Sequence, residues 1–321
     1  MRDNRGREID YLRISITDRC NLRCRYCMPR DVHSVTHEDV LRYEEILHLA
    51  ELMAGLGIRH VRITGGEPLV RKGAAGFIKE LKKIPGIETV SMTTNGTLLG
   101  MWAKELKEAG LDSVNVSLDT TDEETAESIT GVPGTVETAR KGIAAAREAG
   151  IPVKINAVLL SETASTIPEL LQFCRDGIPV RFIELMPIGY GKKSEGMCPE
   201  KLLDMIRKLY PDLRPAGGKN GYGPAHYYES GELSAPVGLI DAVSHKFCEK
   251  CNRVRLTSTG CLKPCLCYDT GIELGRMLRE GTPDAELLEA IRECILSKPE
   301  QHCFEKEDEI SEKKLMAQIG G

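Results

Sequence analysis

The sequence predicts an α/β fold: a partial (β/α)6 TIM-like barrel followed by a C-terminal region with a second cysteine site. Three observations predict it. Six short β-branched runs alternate with amphipathic segments over the first two-thirds of the chain. Several of those segments stop at a glycine placed to cap a helix. From about Gly189 the alternation gives way to glycine-rich stretches.

The strand candidates, in order, are Tyr11 to Thr17, His60 to Gly65, Thr89 to Thr94, Ser113 to Leu118, Val153 to Leu160 and Val180 to Met186. Between the first two, Tyr43 to Leu56 places Ile46, Leu49, Ala50 and Met53 on one helical face. Gly57, Gly110 and Gly150 each follow the last periodic residue of a segment. Strand–helix alternation of this kind builds a parallel sheet with right-handed crossovers. Six units are fewer than a closed barrel needs, so the barrel is expected to be open, with its chemistry at the C-terminal strand ends. Beyond it, "GYGKKSEG" and "PAGGKNGYGPAHYYESGE" flank one helix candidate, Pro199 to Tyr210. Residues 1–216 are read as the barrel and 217–321 as a smaller C-terminal region.

Composition narrows the function classes. A 321-residue chain with 41% hydrophobic and 28% charged residues is ordinary for a globular protein. A net charge of -5 gives no reason to expect a nucleic-acid partner, so any polyanion site must be local. The polar start "MRDNRGREID" is no secretory signal, and no run approaches the roughly 18 apolar residues of a membrane span. The expectation is a cytoplasmic protein. Its twelve cysteines are then metal ligands or catalytic groups before they are disulfides. Cys174, Cys198, Cys294 and Cys303 are scattered and read as structural or incidental.

Cys20, Cys24 and Cys27 form C-x3-C-x2-C directly after the first strand candidate. Three thiolates leave one iron of a [4Fe–4S] cluster open for a substrate or cofactor. A zinc site completed by His33 or His37 fits the same spacing. Tyr26 lies between the last two cysteines. Taken with "TGGEP" at 64–68, "TTNG" at 93–96 and "VSLD" at 116–119, "CNLRCRYC" resembles the signature of the radical S-adenosylmethionine enzymes. The resemblance implies a [4Fe–4S] cluster whose open iron chelates S-adenosylmethionine. Tyr26, Gly66, Glu67 and Ser117 would lie at that cofactor, as would Met186, which also reads as an ordinary core methionine.

A second group, Cys248, Cys251 and Cys265, sits in "FCEKCNRVRLTSTGCLKPCLC" at 247–267. Again three thiolates suffice for an open cluster, while Cys261 or Cys267 could close a four-cysteine zinc site. Arg253 and Arg255 alternate, so on a strand they share one face. Guanidinium groups bind phosphate in pairs of hydrogen bonds and stay charged. That favours a phosphorylated substrate beside the second site.

This segment, with the "QIGG" tail, is similar to the corresponding segments of the GTP 3′,8-cyclase family of molybdenum cofactor synthesis, and the likeness spans essentially the whole chain. It implies a second [4Fe–4S] cluster on Cys248, Cys251 and Cys265, facing guanine. It implies GTP binding by Arg13, Arg62, Thr93, Lys154, Arg253 and Arg255. A 5′-deoxyadenosyl radical would take hydrogen from ribose C3′, and C3′ would bond to guanine C8. The "GG" of Gly320 and Gly321, otherwise a frayed terminus, would thread into the cavity and assist catalysis. Expected partners are a flavodoxin- or ferredoxin-like electron donor and a cyclic pyranopterin monophosphate synthase that receives the product. Oligomeric state is open, with a homodimer as the candidate. Cys261 and Cys267 depart from the family pattern and are read as reduced bystanders. "GYGKKS" lacks the first glycine of a phosphate loop, so GTP would bind without one.

Overall fold

The computed structural model describes residues 1–28, 32, 34–217 and 223–320. The chain begins with strand β1 (Tyr11–Ser15), helix α1 (Tyr43–Gly55), β2 (His60–Thr64), α2 (Ala74–Leu81) and β3 (Thr89–Thr94). It continues with α3 (Leu99–Glu108), β4 (Ser113–Ser117), α4 (Glu123–Thr130), α5 (Thr135–Glu148), β5 (Val153–Leu159), α6 (Ile167–Arg175) and β6 (Val180–Glu184). Helix α7 (Pro199–Leu209) leads to β7 (Arg214–Pro215), β8 (His226–Glu229) and β9 (Val237–Ile240). The remainder is β10 (Arg253–Leu256), β11 (Cys261–Lys263), β12 (Ile272–Glu273), α8 (Leu274–Arg279) and α9 (Asp284–Leu296).

All six expected strands form, some ending a residue or two earlier than the β-branched runs suggest. They lie side by side in sequence order, and every pair among them is parallel. The parallel sheet is wider than six strands. β10 pairs parallel with β1, and β9 pairs parallel with β6. Antiparallel β11–β12 and β8–β7 extend the two edges. Among the described residues β12 and β7 are the outer strands of this single sheet, which is therefore open. Strands from either side of position 217 belong to it.

Alternation along each strand separates a greasy face from a polar one. On β5, Val153, Ile155, Ala157 and Leu159 are buried, while Lys154, Asn156 and Val158 are half-buried on the other face. The greasy face packs under the helices. Ile46, Leu49, Ala50 and Met53 of α1 are fully buried, as their spacing predicts. Gly57, Gly110 and Gly150 take positive φ just after their helices and end them as expected.

A second, smaller apolar cluster holds the C-terminal segment. Ile188, Leu266, Cys267, Cys303, Phe304, Ile310 and Ile319 are buried together, with Met186 and Met316 packed against them. With Ile319 buried in this cluster, Met316 and Ala317 line the cavity on the polar face of the sheet and Gly320 meets Arg255.

Candidate functional site

The polar face of the parallel sheet opens into a cavity of roughly 470 Å³. Cys20, Cys24, Tyr26, Cys27, Gly66, Ser117 and Met186 line it. Arg13, Arg62, Thr93, Lys154, Arg253 and Arg255 line it too, with Cys248, Cys251 and Cys265. Both cysteine groups and the cationic residues thus share one chamber, although the two groups are more than two hundred residues apart in sequence.

The first thiol group sits on the loop after β1. Backbone donation from Cys27 and Met28 to the Cys24 carbonyl tightens the turn, at 2.9 and 2.8 Å. Arg23 and Arg25 amides donate to Thr130 and Ile129 at the end of α4 and pin the loop there. The Leu22 amide points at Cys20 Sγ, 3.4 Å away. Burial, together with Cys27, Asp119 and Cys20 nearby, holds the Cys24 thiol well above its usual range. Burial and Cys20 push Cys27 up to about 12. Thiols held this way ionise only beside a positive centre, which an iron–sulfur cluster supplies. The donor set therefore fits such a cluster. His37 is exposed, and His33 lies outside the described residues.

The "TGGEP" loop after β2 is shaped by close approach. A Cβ at Gly66 would lie 2.4 Å from the Arg19 carbonyl oxygen, and one at Gly65 would lie 2.4 Å from that of Thr17. Both glycines let this loop lie directly on the cysteine loop. Glu67 itself does not reach the cavity surface. Its fully buried carboxylate accepts from Leu69 N, Thr94 Oγ1 and Asn95 N at 3.0, 2.8 and 2.7 Å. Burial raises it to about 7 even against those donors. Tyr26 donates its hydroxyl to Asp119 Oδ2 at 2.7 Å, and Asp119 also accepts from Val158 N at 2.8 Å.

The second thiol group comes from two places. Cys248 and Cys251 bracket a short 3-10 turn before β10, and Cys265 follows β11. Burial opposes ionisation of Cys251, yet Lys298 and Arg253 pull it down to about 7. Lys298 is held there by the carbonyls of Arg253 and Pro264, at 2.8 and 2.6 Å. The His302 amide points at Cys248 Sγ, 3.4 Å away. This donor set suits a cluster as well. Neither Cys261 nor Cys267 lines the cavity. Cys261 is buried on β11, where Glu273 raises it further beyond the effect of burial. Cys267 Sγ is buried 3.3 Å from Cys303 Sγ. Neither Cys261 nor Cys267 thus lines the chamber with Cys248, Cys251 and Cys265, and Cys303, one of the thiols read as structural or incidental, is the buried neighbour of Cys267. Among the described residues no three His, Cys, Asp or Glu side chains converge as they do round a single metal ion.

The same chamber holds a row of guanidinium side chains fixed by strand register. Arg13 on β1 is the direct partner of Arg255 on β10 and of Arg62 on β2. Lys154 and Arg181 lie further along the same face, on β5 and β6. Burial and neighbouring cations depress Arg13, Arg255, Lys154 and Arg181. Arg13 is held well below its usual value, Arg255 falls to about 10 and Lys154 to about 8. The carboxylates at the cavity wall are committed elsewhere. Asp112 accepts from Lys82 and Val90 N, Asp119 from Tyr26 and Val158 N, and Glu184 from Val243 N, Ser244 N and Ser244 Oγ. The chamber is built for a polyanion.

Sequence reasoning missed Arg181, which donates to Asn156 Oδ1 from Nε and Nη2 at 2.9 and 2.6 Å. Gly238, its partner on β9, leaves it room, since a Cβ there would meet Arg181 Cγ at 2.7 Å. The signal available was its alternate position in "VRFIE". Lys298 and His302, which serve the second thiol group from far along the chain, carry no local signal. Of the expected tail, Gly320 lies beside the cavity wall, accepting from Arg255 Nη1 at 3.0 Å. Its φ is +73°, and a Cβ there would lie 2.9 Å from Thr64 Oγ1. Gly321 lies outside the described residues.

Two family models match the chain: the Radical SAM superfamily over residues 14–174 and Molybdenum Cofactor Synthesis C over residues 178–304. The fold is similar to that of Streptococcus suis SuiB bound to S-adenosylmethionine, with TM-score 0.65 and 18% identity, covering 97% of this chain and 78% of that one. That likeness concerns the fold alone. The class is thus a radical S-adenosylmethionine enzyme with an appended C-terminal domain, and the class implies S-adenosylmethionine and an iron–sulfur cluster. Several relatives match over the full length of both chains. The chain is 44% identical over 324 residues to a GTP 3′,8-cyclase of Clostridium perfringens and 44% identical over 329 residues to one of Moorella thermoacetica. It belongs to the GTP 3′,8-cyclase family. Among the described residues no helix is long and apolar enough to cross a membrane.

Proposed function

We infer that the protein joins ribose C3′ to guanine C8 of GTP, giving 3′,8-cyclo-7,8-dihydro-GTP at the start of molybdenum cofactor synthesis. The observation that carries this reading is the register row Arg255–Arg13–Arg62 sharing one cavity with two three-thiol groups. Cys20, Cys24 and Cys27 would hold one [4Fe–4S] cluster and Cys248, Cys251 and Cys265 another. When bound, the first cluster and S-adenosylmethionine would supply the 5′-deoxyadenosyl radical needed for hydrogen abstraction at C3′.

The chain's own residues then have separable roles. Gly65 and Gly66 give S-adenosylmethionine a backbone surface, and Glu67 braces it by tying that loop to Thr94 and Asn95. Tyr26, Ser117 and Met186 close the cofactor side of the chamber. Arg13, Arg62, Lys154, Arg253 and Arg255 oppose the triphosphate, with Arg181 beside them and Thr93 as a neutral contact. Holding both reactants in one chamber spends binding energy on geometry and keeps water from the radical. Gly320, met by Arg255, brings the C-terminal segment to that chamber, and Gly320 and Gly321 would assist catalysis there. Residues 1–216 would supply the six-strand barrel and 217–321 the second thiol group and further substrate contacts, with β9 and β10 of the latter extending the same parallel sheet. On this reading the protein works in the cytoplasm, takes electrons from a flavodoxin- or ferredoxin-like donor and passes its product to a cyclic pyranopterin monophosphate synthase.

The test is anaerobic incubation of reconstituted protein with GTP, S-adenosylmethionine and dithionite. Formation of 5′-deoxyadenosine that depends on GTP, together with a cyclised guanine nucleotide, is expected. Turnover promoted by a peptide and not by GTP would reject the reading in favour of a peptide-modifying enzyme.

A further inference from the structure

Two cations that face each other across β10 and β11 hold the C-terminal segment at two points. Arg255 and Lys263 are direct partners in this antiparallel pair, so their side chains lie on one face. Arg255 donates to the Gly320 carbonyl oxygen at 3.0 Å. Lys263 Nζ lies 2.6 Å from Glu312 Oε2, and both side chains are 1% exposed. Glu312 also orders its own stretch of chain. Its Oε1 accepts from Lys314 N at 2.8 Å, and its amide donates to the Cys267 carbonyl at 3.2 Å. Just before it, Ser311 Oγ accepts from Asp269 N at 3.1 Å. Between the two anchor points, Met316 and Ala317 line the cavity and Ile319 is fully buried.

A buried ion pair is a poor way to gain stability, because desolvating both charges offsets most of their attraction. Ile188, Ile310 and Ile319 already supply apolar packing for this segment. What the pair adds is direction. A carboxylate can meet the ammonium at only one register of the segment, whereas greasy contacts tolerate sliding. A shift of one residue at Glu312 would carry Gly320 away from Arg255, and any other residue would then have to fit against Thr64.

We propose that Lys263 and Glu312 are positioning residues, whose buried ion pair fixes the register of the C-terminal segment so that Gly320 meets Arg255 at the cavity. Arg255 faces both the tail and the chamber, so this register also sets how its guanidinium is presented to substrate. The effect on turnover rests on the cyclase reading; the effect on the segment does not.

The experiment compares the parent holoprotein with Glu312→Gln and with the apolar double variant Lys263→Met/Glu312→Leu. Hydrogen exchange of residues 311–320 is followed without nucleotide, and kcat, KM for GTP and thermal unfolding are measured beside it. In Glu312→Gln the segment should exchange about tenfold faster or more, with β10 and β11 unchanged. Its kcat should fall about tenfold or more while KM for GTP stays within about threefold. The double variant should recover thermal stability without recovering slow exchange or kcat. Recovery of both by the double variant means that packing alone holds the segment and overturns the proposal. So does unchanged exchange in Glu312→Gln, or a loosened segment with full kcat. If the parent itself fails to turn over GTP, the cyclase reading fails, and the exchange comparison still decides the role of the ion pair.

Discussion

Arg13 lies directly beside Arg255, its register partner across the parallel strands β1 and β10, and both guanidinium groups face one cavity. Two like charges facing one cavity favour an anionic ligand that contacts both. Each charge-assisted contact to phosphate contributes about 1.5–3 kcal/mol, which corresponds to about 10–100-fold in affinity. Arg13→Ala and Arg253→Ala should therefore each weaken GTP binding by that factor in calorimetric titration. Iron content should stay at the parent level in both variants, since neither residue is a thiol ligand. Loss of iron alongside binding would reassign the residue to the cluster.

Lys154 gives the chamber a pH dependence of known sign. Burial and then the Arg181 and Arg62 guanidinium groups lower it to about 8 in the ligand-free protein, and the Tyr227 ring lies 5.7 Å from its Nζ. A bound triphosphate favours the ammonium, so the bound form has the higher value and binding takes up a proton above about pH 8. GTP affinity should be level just below that point. It should fall as pH rises through it, with a limiting slope of about tenfold per unit. Lys154→Met should bind more weakly and lose the slope between pH 8 and about 9. A parent affinity that is level across this window would remove Lys154 from the triphosphate site.

The positions of the extra cysteines separate ligands from bystanders. Cys248→Ala, Cys251→Ala and Cys265→Ala should each lose about half the iron of the reconstituted protein, one four-iron cluster of two. Cys261→Ala and Cys267→Val should keep it, because both thiols are buried away from the chamber. Iron assays and electron paramagnetic resonance of the reduced proteins read the difference. Iron loss in Cys267→Val would reopen the choice of ligand.

Gly66→Ala tests the contact between the "TGGEP" loop and the cysteine loop. The new Cβ would sit 2.4 Å from the Arg19 carbonyl, backbone that cannot swing aside as a side chain would. Binding of S-adenosylmethionine should drop by about tenfold or more, as expected when a packed loop is pushed off its seat. Far-ultraviolet circular dichroism should remain that of the parent. Unchanged cofactor binding would mean that the two loops need not touch.

Much of this architecture was legible in the sequence where the signal is local. The six barrel strands follow from β-branched alternation within five to seven residues. The cysteine groups follow from spacing, and the pairing of Arg253 with Arg255 on one face follows from period two. The parts that were not legible depend on contacts between distant segments. β9 is four residues of "VGLI" in a glycine-rich region, and only its pairing with β6 makes it part of the parallel sheet. Arg181 reads as one charge in an apolar strand until Gly238 and Asn156 are seen beside it. Cys267 meets Cys303 across 36 residues, which no spacing rule anticipates. Glu67 shows a further limit: a motif residue can serve by holding its loop from behind instead of facing the chamber.

The central claim is that the chamber delivers a radical to ribose C3′ of GTP. It is tested most directly by supplying GTP deuterated at C3′ to the reduced enzyme with S-adenosylmethionine and weighing the 5′-deoxyadenosine formed. The account predicts 5′-deoxyadenosine one mass unit heavier, in step with formation of the cyclised nucleotide. Unlabelled 5′-deoxyadenosine accompanied by full turnover would show that hydrogen is taken from elsewhere, and would contradict it.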